Sequence, residues 1–173
     1  ELENLCDNLN MGWEPSLRLV YDGILSADPF LHLLTDFQNQ QISTRIQIYS
    51  EYLSGVEEKF KQLSADFMIS VLPPKNNRLN SINLETLRSF FVCHREHPLA
   101  ITNENNVWSL DELKKFHFLT VRGADQNLNL CTEELQVAAA FHLSDMTFKK
   151  NAILQKAGFG WMPEYMIQQE LKD

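Results

Sequence analysis

The residues of this chain that could do chemistry gather where short apolar runs give way to helical ones. Ser26, Ala27 and Asp28 form one such group. Glu51, Tyr52 and Ser54 form a second, and Ser144, Met146 and Thr147 a third. A strand-to-helix turn carries unpaired backbone N–H groups and the positive end of a helix dipole, so it receives carboxylates and carbonyls. A serine there has two readings, a plain helix cap or a hydroxyl offered to a ligand. Ser54 and Glu57, like Ser109 and Glu112, have the spacing of a capping box, in which each side chain satisfies a free N–H of the first turn. Asp28, Glu51 and Asp145 stand in the same turns and oppose an anion unless they point away, so the ligand's polarity stays open.

Other chemistry is poorly represented. No GxSxG, HExxH or Gly-rich phosphate loop occurs, so nothing local arranges a nucleophile, a zinc or a nucleotide. His94 and His97 are the one pair with metal-like spacing, and such a pair reads as surface or hinge. Cys6, Cys93 and Cys131 are odd in number, far apart and without a CxxC, which reads as free thiols in a reducing compartment. No cofactor and no metal is expected.

The 173 residues are 44% hydrophobic, enough for a core in one domain or two small lobes. No run is long enough to span a bilayer, and residues 1–10 are polar and acidic, unlike a secretory signal. The net charge of -8, with fifteen basic residues scattered rather than clustered, predicts that this chain by itself does not bind DNA.

The elements that would position these groups alternate between strand and helix, which argues for an α/β fold. Residues 1–11 have the leucine spacing of a helix end. Strands are expected over 17–22, 45–49, 65–72, 87–93, 116–121, 137–143 and 159–162. Asp28 is expected to cap a helix with Pro29 in its first position and Phe30, Leu33, Leu34 and Phe37 as its buried stripe. Ser54 is expected to cap a helix with Val56, Phe60 and Leu63 inward, and Ser144 one over 146–157 ended by Gly158. The continuous apolar run 65–72 predicts a parallel strand covered on both faces. Short helices are expected after Ser109, over 127–134 and from Pro163, with a polar loop at 103–106.

Five segments, in order, resemble the effector-binding domain of LysR-type transcription regulators. They are Gly12-Trp13-Glu14-Pro15 with the strand after it, Ala65-Asp66-Phe67-Met68-Ile69, His97-Pro98-Leu99-Ala100, Ser109-Leu110-Asp111-Glu112-Leu113, and residues 143–163 ending Gly158-Phe159-Gly160-Trp161-Met162-Pro163. The resemblance implies a two-lobed fold like type 2 periplasmic binding proteins, each lobe an open sheet flanked by helices. Residues 1–15 would be the end of a linker helix, 16–93 the first lobe and 94–173 the second, joined near 92–95. A small-molecule effector would lie between the lobes, and the resemblance raises the ligand reading of Ser26, Ser54 and Thr147. With Arg95 near the mouth and Tyr52, Phe148 and Trp161 as an apolar wall, an aromatic or amphipathic acid is the first expectation. The resemblance further implies a cytoplasmic homodimer, through residues 30–37 and 146–157, and a tetramer in the full-length protein. That protein would bind promoter DNA through an N-terminal winged helix-turn-helix. In the family the chain continues beyond the helix after Pro163 and crosses back, so a sequence stopping at Asp173 is expected to leave the first lobe without a terminal strand and helix. The alternative reading is an exported solute-binding protein of the same fold.

Overall fold

The computed structural model describes residues 13–101, 108–121 and 140–172. The expected helices at 1–11 and 127–134, the loop at 103–106, the start of the 137–143 strand, Cys6 and Cys131 lie outside the described residues. The chain forms two compact units, Glu1–Ile82 and Asn83–Asp173.

The first unit is built on β1 (Ser16–Asp22), α1 (Asp28–Asn39), β2 (Arg45–Glu51), α2 (Ser54–Leu63) and β3 (Phe67–Ile69). All three strands are parallel, in the order β2-β1-β3. The chain therefore leaves β1 to one side, then crosses back to the other. Right-handed crossovers in opposite directions put α1 and α2 on opposite faces. Neighbouring residues of β1 show it: Val20 packs with Val56 of α2, while the Tyr21 ring lies 4.6 Å from Phe30 of α1. Phe60 and Leu63 extend the Val20 cluster, as their helical spacing predicts.

Two expectations fail here. The stripe on α1 is not buried: Phe30 is, but Leu33 and Leu34 are 37% and 38% exposed. The helix meets the sheet through its first turn, and Leu33 and Leu34 find no full cover among the described residues of this unit. The strand at 65–72 shrinks to three residues, and Phe67 is exposed. An apolar run reports burial potential, not how many neighbours a strand finds, and among the described residues β3 pairs only with β1, at the sheet's edge.

The second unit contains β4 (Ser89–Cys93), α3 (Pro98–Ile101), α4 (Leu110–Leu113), β5 (Phe118–Val121), β6 (Ala140–Leu143), α5 (Met146–Leu154), β7 (Phe159–Pro163) and α6 (Glu164–Ile167). Its sheet order is β4-β7-β5-β6. Strands β6, β5 and β7 repeat the winding of β2, β1 and β3, so α5 occupies the place that α2 has in the first unit. Strand β4 adds antiparallel to β7, with Ser89 opposite Pro163 and Cys93 opposite Phe159. Residues 83–93 thus fall with the second unit, where the sequence had put them in the first lobe. The Phe91 ring sits between Phe159 and Trp161 at 5.1 and 5.2 Å, a long-range match that no local pattern announces.

The core of this unit joins Phe118 and Phe159 to Leu99 and Leu113. Glycines let β7 lie close to β5: a Cβ on Gly158 would stand 2.2 Å from the His117 carbonyl oxygen, and one on Gly160 2.5 Å from that of Leu119. No helix among the described residues is long and apolar enough to cross a membrane.

Candidate functional site

In sheets of this winding a ligand finds its place beyond the carboxyl ends of the strands, where the chain departs in two directions. In the first unit that point is the end of β1. Asp22, its last residue, is completely buried. Its Oδ1 accepts the N–H of Ile24 and its Oδ2 that of Leu53, each at 3.1 Å. Burial pushes the carboxyl's pKa up, against the opposing pull of N–H groups on Ile24, Leu53 and Val71. One side chain thereby ties together the segments that follow β1, β2 and β3. The sequence reading passed over Asp22 as the end of a strand. Its signal was there, an acid closing an apolar run and followed by glycine.

Gly23 continues the ladder, donating its N–H to the Glu51 carbonyl oxygen at 2.8 Å. A Cβ at Gly23 would lie 2.7 Å from ring carbons of Tyr52, so glycine is what lets that ring lie across the turn. Glu51, Tyr52 and Gly23 are therefore brought together. Ser26 Oγ accepts the N–H of Asp28 at 3.2 Å, which makes Ser26 a local turn former. Ala27, not Asp28, is the N-cap of α1, and Asp28 is its first helical residue, with its charge where the helix dipole favours an acid.

The capping box at Ser54 does not form. Leu53 is the N-cap of α2, held at φ 51°, ψ -122°, and its own side chain makes no capping bond. Ser54 is already helical and buried. Glu57 instead accepts the N–H of Lys75 at 2.6 Å and pairs with Lys61 at 2.5 Å, which holds its carboxyl below the usual range. A crevice of about 20 Å³ beside Ser54, between Leu53, Glu57, Met68 and Ser70, has room for a water. The box of the same spacing at Ser109 does form: Ser109 Oγ accepts the N–H of Glu112, and Glu112 Oε2 accepts that of Ser109.

In the second unit the equivalent turn follows β6. Asp145, not Ser144, caps α5, with Oδ1 accepting the Phe148 N–H at 2.8 Å. Ser144 Oγ donates to Asp145 Oδ2 at 2.6 Å. That bond, then those from the N–H groups of Phe148 and Thr147, keeps Asp145 below the ordinary carboxyl range. The helix end already holds an acid of its own. Ser144 and Thr147 are exposed beside it, whereas Met146 is buried in the unit's interior. Trp161, on β7, is partly exposed and packs on Phe91. Arg95 lines a cavity with Cys93, His94 and Lys150.

The sequence did not single out Lys149, and the pair His94 and His97 was read as surface or hinge. Lys149, in the first turn of α5, is 5% exposed, with its Nζ 6.0 Å from the centre of the Phe118 ring. Burial lowers its pKa to about 8. A Cβ on Gly160 would sit 3.0 Å from Lys149 Cε, so the glycine also makes room for the lysine. His94 and His97 are turn formers: each Nδ1 accepts the backbone N–H two residues ahead, that of Glu96 and of Leu99. His97 is buried against Phe116, which lowers its pKa and keeps it neutral. Among the described residues no three His, Cys, Asp or Glu side chains converge as metal ligands would.

Residues 11–173 match the LysR substrate binding domain, and the chain belongs to that family. No curated protein matches the sequence. Solved structures share the fold at low identity. The regulatory domain of MetR (NMB2055) from N. meningitidis, in a form with two cysteines replaced by serine, has a TM-score of 0.68 at 19% identity, over 91% of this chain and 74% of that one. The CcmR regulatory domain of Synechocystis PCC6803, in complex with 2-PG, has a TM-score of 0.66 at 18% identity, over 90% and 76%. The effector binding domain of QuiR, in complex with shikimate, has a TM-score of 0.63 at 13% identity, over 86% and 73%. The family is one of transcription regulators, not of enzymes.

Proposed function

We propose that this chain is the sensing module of a LysR-type transcription regulator and that it binds a small-molecule effector at its strand-to-helix turns. The observation that carries the reading is the buried Asp22 carboxylate. It spends an acid on fixing the backbone of the turns at the carboxyl end of β1, where a sheet of this winding takes ligands. Tyr52 and Glu51 flank that end, and Ser54 contributes a hydroxyl at the start of α2. At the turn of the second unit Ser144 and Thr147 contribute hydroxyls beside the capping Asp145. Ser26, Ala27, Asp28, Arg95 and Trp161 complete the proposed set, with Met146 acting from beneath through packing. The fold-related CcmR and QuiR domains with bound 2-PG and shikimate support a small organic ligand.

The module has no catalytic role in this reading. It acts in the cytoplasm as part of a homo-oligomeric protein whose promoter contacts are made by a separate DNA-binding domain. Exposed apolar residues on α1 (Leu31, Leu33, Leu34) and on α5 (Phe148, Leu154) support those helices as the contacts between copies. Family membership gives no support to the exported solute-binding alternative.

A thermal-shift screen of small organic acids tests the proposal. A ligand that binds only the folded chain adds about 2.7 kcal/mol at a hundred times its Kd. A panel that leaves the melting temperature unmoved counts against it.

A further inference from the structure

A cavity of about 430 Å³ opens within the second unit, walled by β4, α5 and the chain after β7. Small-molecule sites fall at roughly 300–1,000 Å³. Its apolar wall includes Val92, Ile153, Met162 and Leu171. Its ionisable lining is Cys93, His94, Arg95, Lys150 and Glu170. Two of these cancel. Lys150 Nζ meets Glu170 Oε1 at 2.6 Å and donates to the Met166 carbonyl oxygen at 2.6 Å. That pair holds the Glu170 carboxyl below the usual range, so it is ionised. The second oxygen, Oε2, is shut away from solvent and offers nothing to the cavity. Burial pushes the Cys93 thiol up, so it stays neutral.

Arg95 therefore sets the sign of the lining, and its charge is permanent. The acid next to it in sequence, Glu96, pairs with Lys156 at 2.5 Å and does not line the cavity. A guanidinium carries five N–H donors in a planar fork, so a single contact does not exhaust it. His94 adds a donor. Its Nδ1 accepts the Glu96 N–H at 3.0 Å, so the ring proton stands on Nε2.

We infer that this cavity binds an organic anion, a carboxylate head on an apolar body. The head pairs with the Arg95 guanidinium and accepts from His94, while the body lies against Ile153 and Met162. An ammonium head meets a lining of net positive charge. A neutral amide forgoes the charge-assisted pair, which is roughly twice as strong as a neutral hydrogen bond. Of the residues proposed for the effector, only Arg95 borders this cavity. It is a second site, and it stands or falls apart from the hydroxyls of the strand-to-helix turns.

The test uses the whole 173-residue chain. The probes are 3-phenylpropionate, 3-phenylpropionamide and 3-phenylpropylamine, one skeleton with three head charges. Each is titrated while the methyl signals of Ile153 and Met162 are followed by NMR. The acid is expected to saturate those shifts, with the amide and the amine about tenfold weaker or more. Added salt should weaken the acid and leave the amide alone. Arg95→Gln removes the charge from an exposed side chain, so the fold should stand. It should weaken the acid about tenfold or more and leave the amide as it was. Ser54→Ala and Thr147→Ala should leave the acid's effect on Ile153 and Met162 unchanged, whether or not they weaken the effector. The inference is overturned if the acid leaves both methyl signals unmoved, or if the amide or the amine binds equally well. It is also overturned if Arg95→Gln binds the acid as the parent does, or if Ser54→Ala or Thr147→Ala abolishes that binding.

Discussion

The Asp22 carboxylate accepts the N–H of Leu53 at 3.1 Å across 31 residues of sequence, and so one side chain at the end of β1 sets the start of α2. Asp22→Ala leaves the N–H groups of Ile24 and Leu53 without their acceptor. Each unsatisfied buried donor costs about 1–3 kcal/mol, so urea unfolding should show a loss of about 2–4 kcal/mol. Asp22→Asn keeps one acceptor and removes a buried charge, and should cost less. The folded-state pKa of Asp22 is raised, so between its unfolded and folded values the native state holds more proton than the unfolded one. This group therefore takes stability away as pH rises through that window. The difference between parent and Asp22→Asn should shift accordingly in favour of the parent as the pH is lowered. An Asp22→Ala protein as stable as the parent would remove Asp22 from its proposed role.

Lys149 gives the clearest pH dependence. Its pKa falls from 10.5 to about 8 because burial penalises the ammonium. Between those values the unfolded chain holds the proton and the folded chain does not, so stability rises with pH across that window. Below pH 8 the penalty is fully present, of order 3 kcal/mol at about 1.4 kcal/mol per pKa unit. Lys149→Met should thus stabilise the protein by about 1–3 kcal/mol at about pH 7, and by much less near pH 10. Chemical denaturation of both proteins at the two pH values checks this. An equal gain at both would show that packing, not charge, distinguishes them.

Gly160 is where β7 crosses close to β5 while leaving space for Lys149. Gly160→Ala forces a Cβ toward a backbone oxygen that cannot swing aside, and should cost about 1–3 kcal/mol. A melting temperature equal to the parent's would mean that the strands separate without penalty.

Ser54 and Ser109 explain what was legible in the sequence. Both head a serine-to-glutamate box of the same spacing, but only Ser109 adopts the extended backbone of a cap, at φ -75°, ψ 156°. At Ser54 the preceding Leu53 takes the positive φ that the Asp22 bond supports, and the serine is drawn into the helix. Periodicity therefore located the helices, while the cap depended on a residue far away in sequence. The same holds for Ser144 and Asp145, neighbours that both fit a cap until the backbone selects one. Strand β4 was visible as a strand, but its partner β7 lies some seventy residues on and was not. Lys149 was not singled out, because nothing local tells a lysine over Phe118 from one in water. The turns expected to face a ligand were found at the carboxyl ends of β1, β2 and β6. The residue that organises the first two of them, Asp22, was not singled out.

Ser109→Ala removes a cap that exists, whereas Ser54→Ala removes none. The first should lower stability by about 0.5–2 kcal/mol through the lost bond to the Glu112 N–H. Equal losses from the two substitutions, measured by thermal unfolding, would contradict the distinction drawn between them.

Effector binding at the turns is tested most directly by calorimetric titration of the strongest hit from the organic-acid panel into the parent, Ser54→Ala and Thr147→Ala proteins. A lost hydrogen bond to a charged ligand is worth about 1.5–3 kcal/mol, so each substitution should weaken binding about tenfold or more while the unliganded proteins stay folded. If both variants bind that ligand as tightly as the parent, Ser54 and Thr147 serve only the fold and the effector is held elsewhere.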